Sequence, residues 1–123
     1  MTAWRYDQSS GDLRDPSGHF VCRGYSGHGA GKNNPARQHE RAVGPIPRGR
    51  WKIGAPYDSK NVGPYALTLT PCAGTEVFGR SAFRIHGDSK RAPGTASHGC
   101  IILPRPVRER IWASGVHEIE VVE

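Results

Sequence analysis

Within Phe83–Pro104, FRIHGDSKRAPGTASHGCIILP, a histidine closes one apolar run and a cysteine opens another, with a glycine- and proline-punctuated loop between them. A thiol is a weak nucleophile until its proton leaves, and an imidazole beside it is the group suited to take that proton near neutral pH. His86 and Cys100 therefore read as the base and nucleophile of a cysteine acyl-transfer site. The intervening residues suit the same chemistry. Gly94 and Gly99 permit backbone conformations that a side chain forbids, and the amides around Gly99 and Cys100 are expected to converge on a developing oxyanion. Ser97 and His98 place polar groups beside the nucleophile. The imidazole needs an orienting partner, for which Asp88 and a backbone carbonyl are both candidates.

Two short strands would position this pair. Phe83 and Ile85 alternate with Arg84 and His86, so the apolar two should face a core and His86 the opposite side. Cys100 and Ile102 alternate with Ile101 and Leu103 in the same way. Zinc competes as a chemistry, because His86, His98 and Cys100 are all ligand types, but no HExxH or CxxC supplies a third or fourth converging ligand, so no metal is assigned. A papain-like or NlpC-type peptidase competes less well: there the cysteine precedes its histidine and begins a helix, whereas here His86 comes first and Cys100 leads into Ile-Ile-Leu-Pro.

The string Ser97-His98-Gly99-Cys100, with His86 upstream, resembles the signature of the YkuD-type L,D-transpeptidases, which are cell-wall enzymes. Further segments narrow the resemblance: Gly44-Pro45-Ile46-Pro47-Arg48-Gly49, Gly63-Pro64-Tyr65-Ala66-Leu67, Phe78-Gly79-Arg80-Ser81, Ile85-His86-Gly87-Asp88 and Gly94-Thr95-Ala96-Ser97. Together they are similar to the type VI secretion effectors with an L,D-transpeptidase-like domain, over roughly residues 20 to 112. The resemblance implies a small β-sandwich or barrel, no cofactor, and attack by Cys100 on peptidoglycan stem tetrapeptides. Terminal D-alanine would be removed, as an L,D-carboxypeptidase does, or exchanged for another D-amino acid, as an L,D-transpeptidase does. It also implies delivery by secretion machinery, action in the periplasm of target Gram-negative cells, and a cognate immunity protein. Tyr25-Ser26-Gly27 match the start of a loop that frames the cleft in that family and are expected to contact substrate. Many cell-wall members have an arginine two residues after the cysteine; Ile102 stands there in this chain, and the spacer between His86 and Ser97 is short. A substrate carboxylate must then find another cation, with Arg105, Arg91 and Arg84 as candidates.

The rest of the chain fits one modest domain spanning residues 1–123. Hydrophobic residues make up 36%, and 16 glycines with 10 prolines favour short strands and many turns. The expected fold is mainly β, with one short C-terminal helix and a long irregular loop. Ala3 to Gln8 reads as a first strand with Trp4 and Tyr6 inward, closed by a turn at Ser9-Ser10-Gly11. A second strand is expected at about His19–Tyr25, with Phe20 in the core. Ser26 to Arg50 is too rich in glycine, proline and asparagine for a regular element and suits a lid or binding loop. Trp51-Lys52-Ile53 reads as a short strand before a turn at Pro56–Pro64, and Tyr65–Thr70 as a half-buried one. Pro106 suits the first turn of a helix through Trp112, with Val107 and Ile111 inward, Arg108 and Glu109 outward, and Gly115 as its stop. HEIEVVE reads as a last strand.

Seventeen Lys and Arg against eleven Asp and Glu leave +6, which suits an anionic polymer such as peptidoglycan. No finger spacing, recognition helix or RNA motif accompanies that charge, so nucleic acid is not an expected partner. The opening residues lack a secretory apolar run and nothing reaches membrane-span length, so export without a signal peptide and no membrane insertion are expected. Cys22 and Cys72 could bridge in an oxidising periplasm or remain buried free thiols; Cys100 should stay free. Two other functions remain: a non-catalytic binding module for anionic wall polymer and, within the resemblance, a housekeeping L,D-transpeptidase cross-linker.

Overall fold

The computed structural model describes residues 3–123. Short alternating segments pair into a nine-stranded sheet in the order β3-β2-β1-β9-β5-β6-β7-β8-β4. The strands are β1 (Trp4–Asp7), β2 (Asp12–Arg14), β3 (Phe20–Arg23), β4 (Tyr25–Ser26), β5 (Gly49–Ser59), β6 (Gly63–Pro71), β7 (Arg84–His86), β8 (Ile101–Ile102) and β9 (Glu118–Val122). β3 and β4 lie at opposite ends of that order, yet Gly24 alone separates them in the chain. The sheet therefore curls until its two ends almost meet. Gly24 stands at that junction, donating its amide to Gly11 O at 2.8 Å. A Cβ at Gly24 would fall 2.2 Å from Ile102 O, so a side chain there would push the ends apart.

The expected alternation builds the core. Trp4, Tyr6, Trp51, Ile53, Leu67, Leu69, Ile119 and Val121 are all buried, and Trp51 meets Phe83 edge-on with ring centroids 4.9 Å apart. β1 runs parallel to β9, pairing Tyr6 with Val121, so the two ends of the described chain lie side by side. The helix α1 (Arg105–Ala113) begins after Pro104 and stops before Gly115, whose φ of +76° is the left-handed turn that ends a helix. Among the described residues no helix is long and apolar enough to cross a membrane.

Five expectations need correction. Asp12–Arg14 forms a strand of its own, held to β1 by the pairing of Tyr6 with Leu13, and the segment expected as one strand is split at Gly24. Phe20 is 52% exposed, because β3 is the outermost strand and has the sheet on one side only. β5 continues through Pro56 to Ser59, since Pro56 sits where the register with β6 shifts and no ladder donor is required. Arg108 points inward. Its Nε donates to Leu103 O at 3.1 Å and its Nη1 to Pro64 O and Tyr65 O, both at 2.9 Å, so three carbonyls replace the water it loses. Cys22, Cys72 and Cys100 are all free thiols.

Candidate active site

β7 and β8 are parallel, with Ile85 beside Ile101 and His86 beside Ile102. Extending this register by one residue sets Cys100 beside Arg84. Because side chains alternate, Ile85 and Ile101 enter the core together, while Arg84, His86 and Cys100 share the opposite face. That face forms the wall of a cleft of about 300 Å³, whose lining includes Arg41, Ala42, Arg84, His86, His98 and Cys100. Arg41 and Ala42 come from the long segment before β5, which contains two single-turn 3-10 helices, Gly29–Gly31 and Pro35–Arg37. The segment expected to frame a site thus supplies the facing wall.

His86 is almost fully shielded, at 3% exposure. Its Nδ1 lies 2.9 Å from Gly87 O, which can only accept, so the hydrogen bond requires the proton on Nδ1 and leaves Nε2 as the basic nitrogen. Burial pushes the imidazole below its ordinary range. The Gly87 bond opposes this, and the nearby Arg108 and Arg84 charges reinforce it. His86 is therefore neutral near pH 7. The carboxylate of Asp88 is engaged elsewhere: it accepts from Tyr25 Oη at 2.5 Å, from the Ser89 amide at 2.8 Å and from the Gly94 amide. Of the two candidates for orienting His86, the backbone carbonyl of Gly87 makes the hydrogen bond.

The Cys100 thiol donates to Ala82 O at 3.7 Å. Burial raises its pKa, against the pull of the Arg84 amide, the Arg84 charge and the Arg80 charge. The two groups share the cleft, each held by a main-chain carbonyl, Gly87 O for His86 and Ala82 O for Cys100. His98 stands exposed on the rim, its ring tilted against His28 with centroids 4.8 Å apart. Among the described residues no group of three or more histidine, cysteine or acidic side chains converges as metal ligands would.

Ser97 is wholly buried and holds the turn together. Its Oγ donates to Cys100 O at 2.6 Å and accepts from the Gly27 amide at 2.9 Å and the Gly99 amide at 3.1 Å. The Gly99 amide is thereby turned inward and engaged by Ser97, so it is not one of two amides converging on an oxyanion as expected.

Tyr25, Ser26 and Gly27 brace this turn from behind and do not line the cleft. Ser26 Oγ donates to Gly99 O at 3.1 Å and accepts from the Ile46 amide at 2.8 Å. Tyr25 Oη also accepts from the Ala96 amide at 2.9 Å, and its pKa is pushed up to about 12 by burial and by its bond to Asp88. Arg105 lies outside the cleft, paired with Glu109 at 3.2 Å and stacked over Tyr65. Arg91 is exposed on the loop and also outside the cleft. Of the three cations expected near a substrate carboxylate, Arg84 alone lines it, and Arg41 joins it without having been anticipated.

A strand-end histidine and a cysteine on one face of a small, nearly closed sheet, backed by a Ser-His-Gly-Cys turn, agree with one comparison. The family model described as the Tlde1 domain matches residues 21–123. The chain belongs to the Tlde1 domain family. Tlde1 is a type VI secretion L,D-transpeptidase effector domain, and membership implies L,D-transpeptidase activity and suggests peptidoglycan as the substrate and an antibacterial effector role. No curated protein matches the chain. In this Tlde1 domain the match begins at Val21, beside the Gly24 junction, and takes in every residue of the site described above.

Proposed function

We propose that this Tlde1 domain shortens or edits peptidoglycan stem tetrapeptides by two-step acyl transfer, with Cys100 as nucleophile and His86 as base. The observation that carries the reading is the parallel register of β7 and β8, which puts both side chains on one face of one cleft. Nε2 of His86 takes the thiol proton as Sγ bonds to the carbonyl carbon of the third stem residue. The Cys100 amide donates to the oxyanion. The peptide C–N bond then breaks, the departing D-alanine nitrogen takes the proton from His86, and a thioester remains on Cys100. Water resolving the thioester gives the tripeptide; the amine of another D-amino acid gives exchange. Arg84 and Arg41 are the cations placed to hold the terminal carboxylate of the leaving or entering D-amino acid.

In use, the domain would be carried into the periplasm of a competing Gram-negative cell by secretion machinery, with an immunity protein covering the cleft in the producer. The defining experiment incubates purified protein with tetrapeptide muropeptides, with and without an added D-amino acid, and weighs the products. Loss of D-alanine or its replacement is expected; intact tetrapeptide from folded protein would end this reading.

The pH profile provides a second test. Because His86 titrates below its ordinary range, the base stays available to a lower pH than a free imidazole would allow. Because Cys100 titrates above its ordinary range, the proton needed by the leaving nitrogen is kept to a higher pH. The profile of kcat/KM is expected to be a broad plateau across neutrality. Its acid limb should fall below pH ~6.5, the unperturbed imidazole value. An acid limb above that value would exclude His86 as the base.

A further inference from the structure

One buried cation has no part in the acyl-transfer steps. Arg80 is 6% exposed, and no acidic side chain pairs with it among the described residues. Its guanidinium is spent on main-chain carbonyls instead. Nη1 donates to Gln38 O at 2.5 Å and Pro45 O at 2.8 Å, and Nη2 to Gly44 O at 2.9 Å and His98 O at 3.3 Å. Three of these acceptors belong to the segment that supplies the far wall of the cleft, and the fourth to the turn that carries Cys100. The other face of the guanidinium lies 5.1 Å from the centre of the Phe83 ring. A Cβ on Gly99 would fall 2.4 Å from Nη2, so the cation sits directly against the residue before the nucleophile.

Burying an arginine without a carboxylate is costly, and four carbonyls recover that cost only while all of them keep their places. The same geometry makes Arg80 a rigid tie. A planar guanidinium has donors at fixed angles, so moving the 38–45 segment or the Ser97–Cys100 turn breaks bonds at both ends.

We propose that Arg80 is a positioning residue that locks the nucleophile turn to the opposite cleft wall and places a fixed positive charge behind Cys100. The inference rests on Cys100 being the nucleophile. An adjacent cation favours the thiolate, and it does so against burial, which holds the Cys100 thiol up and the Arg80 guanidinium down. The other charged or titratable groups facing Cys100 are Arg84 and His86 from β7, His98 from its own turn, and Arg41 from the facing wall. These remain when Arg80 is changed, so a variant reports the Arg80 share alone.

The test compares the native chain with Arg80→Gln and Arg80→Lys. It reads the pH midpoint of Cys100 alkylation by iodoacetamide, resolved by peptide mass from Cys22 and Cys72, together with kcat on tetrapeptide. In Arg80→Gln the midpoint should rise, the direction expected when a cation that favours the thiolate is lost. In Arg80→Lys the midpoint should stay at the native value while kcat falls at least about tenfold, because an ammonium cannot reach both segments in fixed geometry. A folded Arg80→Gln with the native midpoint, or an Arg80→Lys with native kcat, would overturn the proposal. If Arg80→Gln does not fold, Arg80→Lys decides by its kcat. If the native protein leaves tetrapeptide intact, the peptidoglycan reading fails separately, and the midpoint in Arg80→Gln still decides the role of Arg80.

Discussion

Tetrapeptide muropeptides are expected to survive incubation with the Cys100→Ala variant, with kcat reduced by about 10⁴-fold or more, the order seen when an acyl-transfer enzyme loses its nucleophile. The loss should be confined to chemistry. Cys100 is half-buried at the cleft surface and lies outside the packed cluster of Trp4, Trp51, Ile85 and Ile101. Removing its sulfur should therefore change stability by less than about 1 kcal/mol, readable as a nearly unchanged melting temperature. Cys100→Ser should be almost as inactive. Its alkoxide is far harder to form than a thiolate, and a neutral imidazole with a depressed pKa is a weak base for it. The same variant separates the catalytic reading from a binding module. A module that acts by holding anionic polymer would keep its effect on target cells after Cys100→Ala, whereas an acyl-transfer toxin would lose it. Retained D-alanine release by the folded alanine variant would remove Cys100 from the mechanism.

Gly99→Ala is expected to be nearly as damaging although it adds only a methyl group. Gly99 has φ of +139°, a conformation L side chains rarely adopt, and its Cβ would meet Arg80 Nη2 at 2.4 Å and Phe83 Cε1 at 3.2 Å. The far end of an arginine usually moves aside cheaply, but this one is held by the carbonyls of Gln38, Gly44, Pro45 and His98. The turn has to give instead. A strained residue of this kind costs about 1–3 kcal/mol. A shift of about 1 Å at the nucleophile lowers turnover by about 10²-fold. Gly94→Ala serves as the control: its φ is also positive, at +87°, but the new Cβ would meet only Lys32 Nζ, the end of an exposed and flexible side chain. It should keep most of the turnover. Equal activity in Gly99→Ala and native protein would show that the turn is free to move.

The candidate site was legible where neighbouring residues carried the signal. His86 and Cys100 could be assigned to one face because their flanking runs alternate, and the burial of Phe83, Ile85 and Ile101 follows that alternation. The helix after Pro104 was legible for the same local reason, with Pro106 at one end and Gly115 at the other. Tyr25, Ser26 and Gly27 stood out as important, but as substrate contacts. In the structure they brace the nucleophile turn through Asp88, Ile46, Ser97 and Gly99. Nothing in a tripeptide tells which side of a turn it will occupy.

Arg80 and Arg108 show the limit most plainly. Arg108 is expected on the outward face of its helix, and Arg80 stands out only as part of the Phe78-Gly79-Arg80-Ser81 string. Each is buried because carbonyls from distant segments converge on it: Gln38, Gly44 and Pro45 for Arg80, Pro64 and Tyr65 for Arg108.

By itself the sequence determined the strand-rich character of this protein and the helix near its end, and its Ser-His-Gly-Cys string after a strand-end histidine pointed to the family. The strands and the helix depend on backbone preference and side-chain alternation, which act over a few residues. Only the tertiary structure decided that the sheet nearly closes at Gly24, that Arg84 and Arg41 line the same cleft as Cys100, that Gly87 rather than Asp88 bonds to His86, and that Arg80 donates to carbonyls of both the 38–45 segment and His98. These are contacts between segments tens of residues apart, and their partners are largely main-chain carbonyls. Every residue carries such a carbonyl, so no residue type marks in advance which one a distant side chain will find.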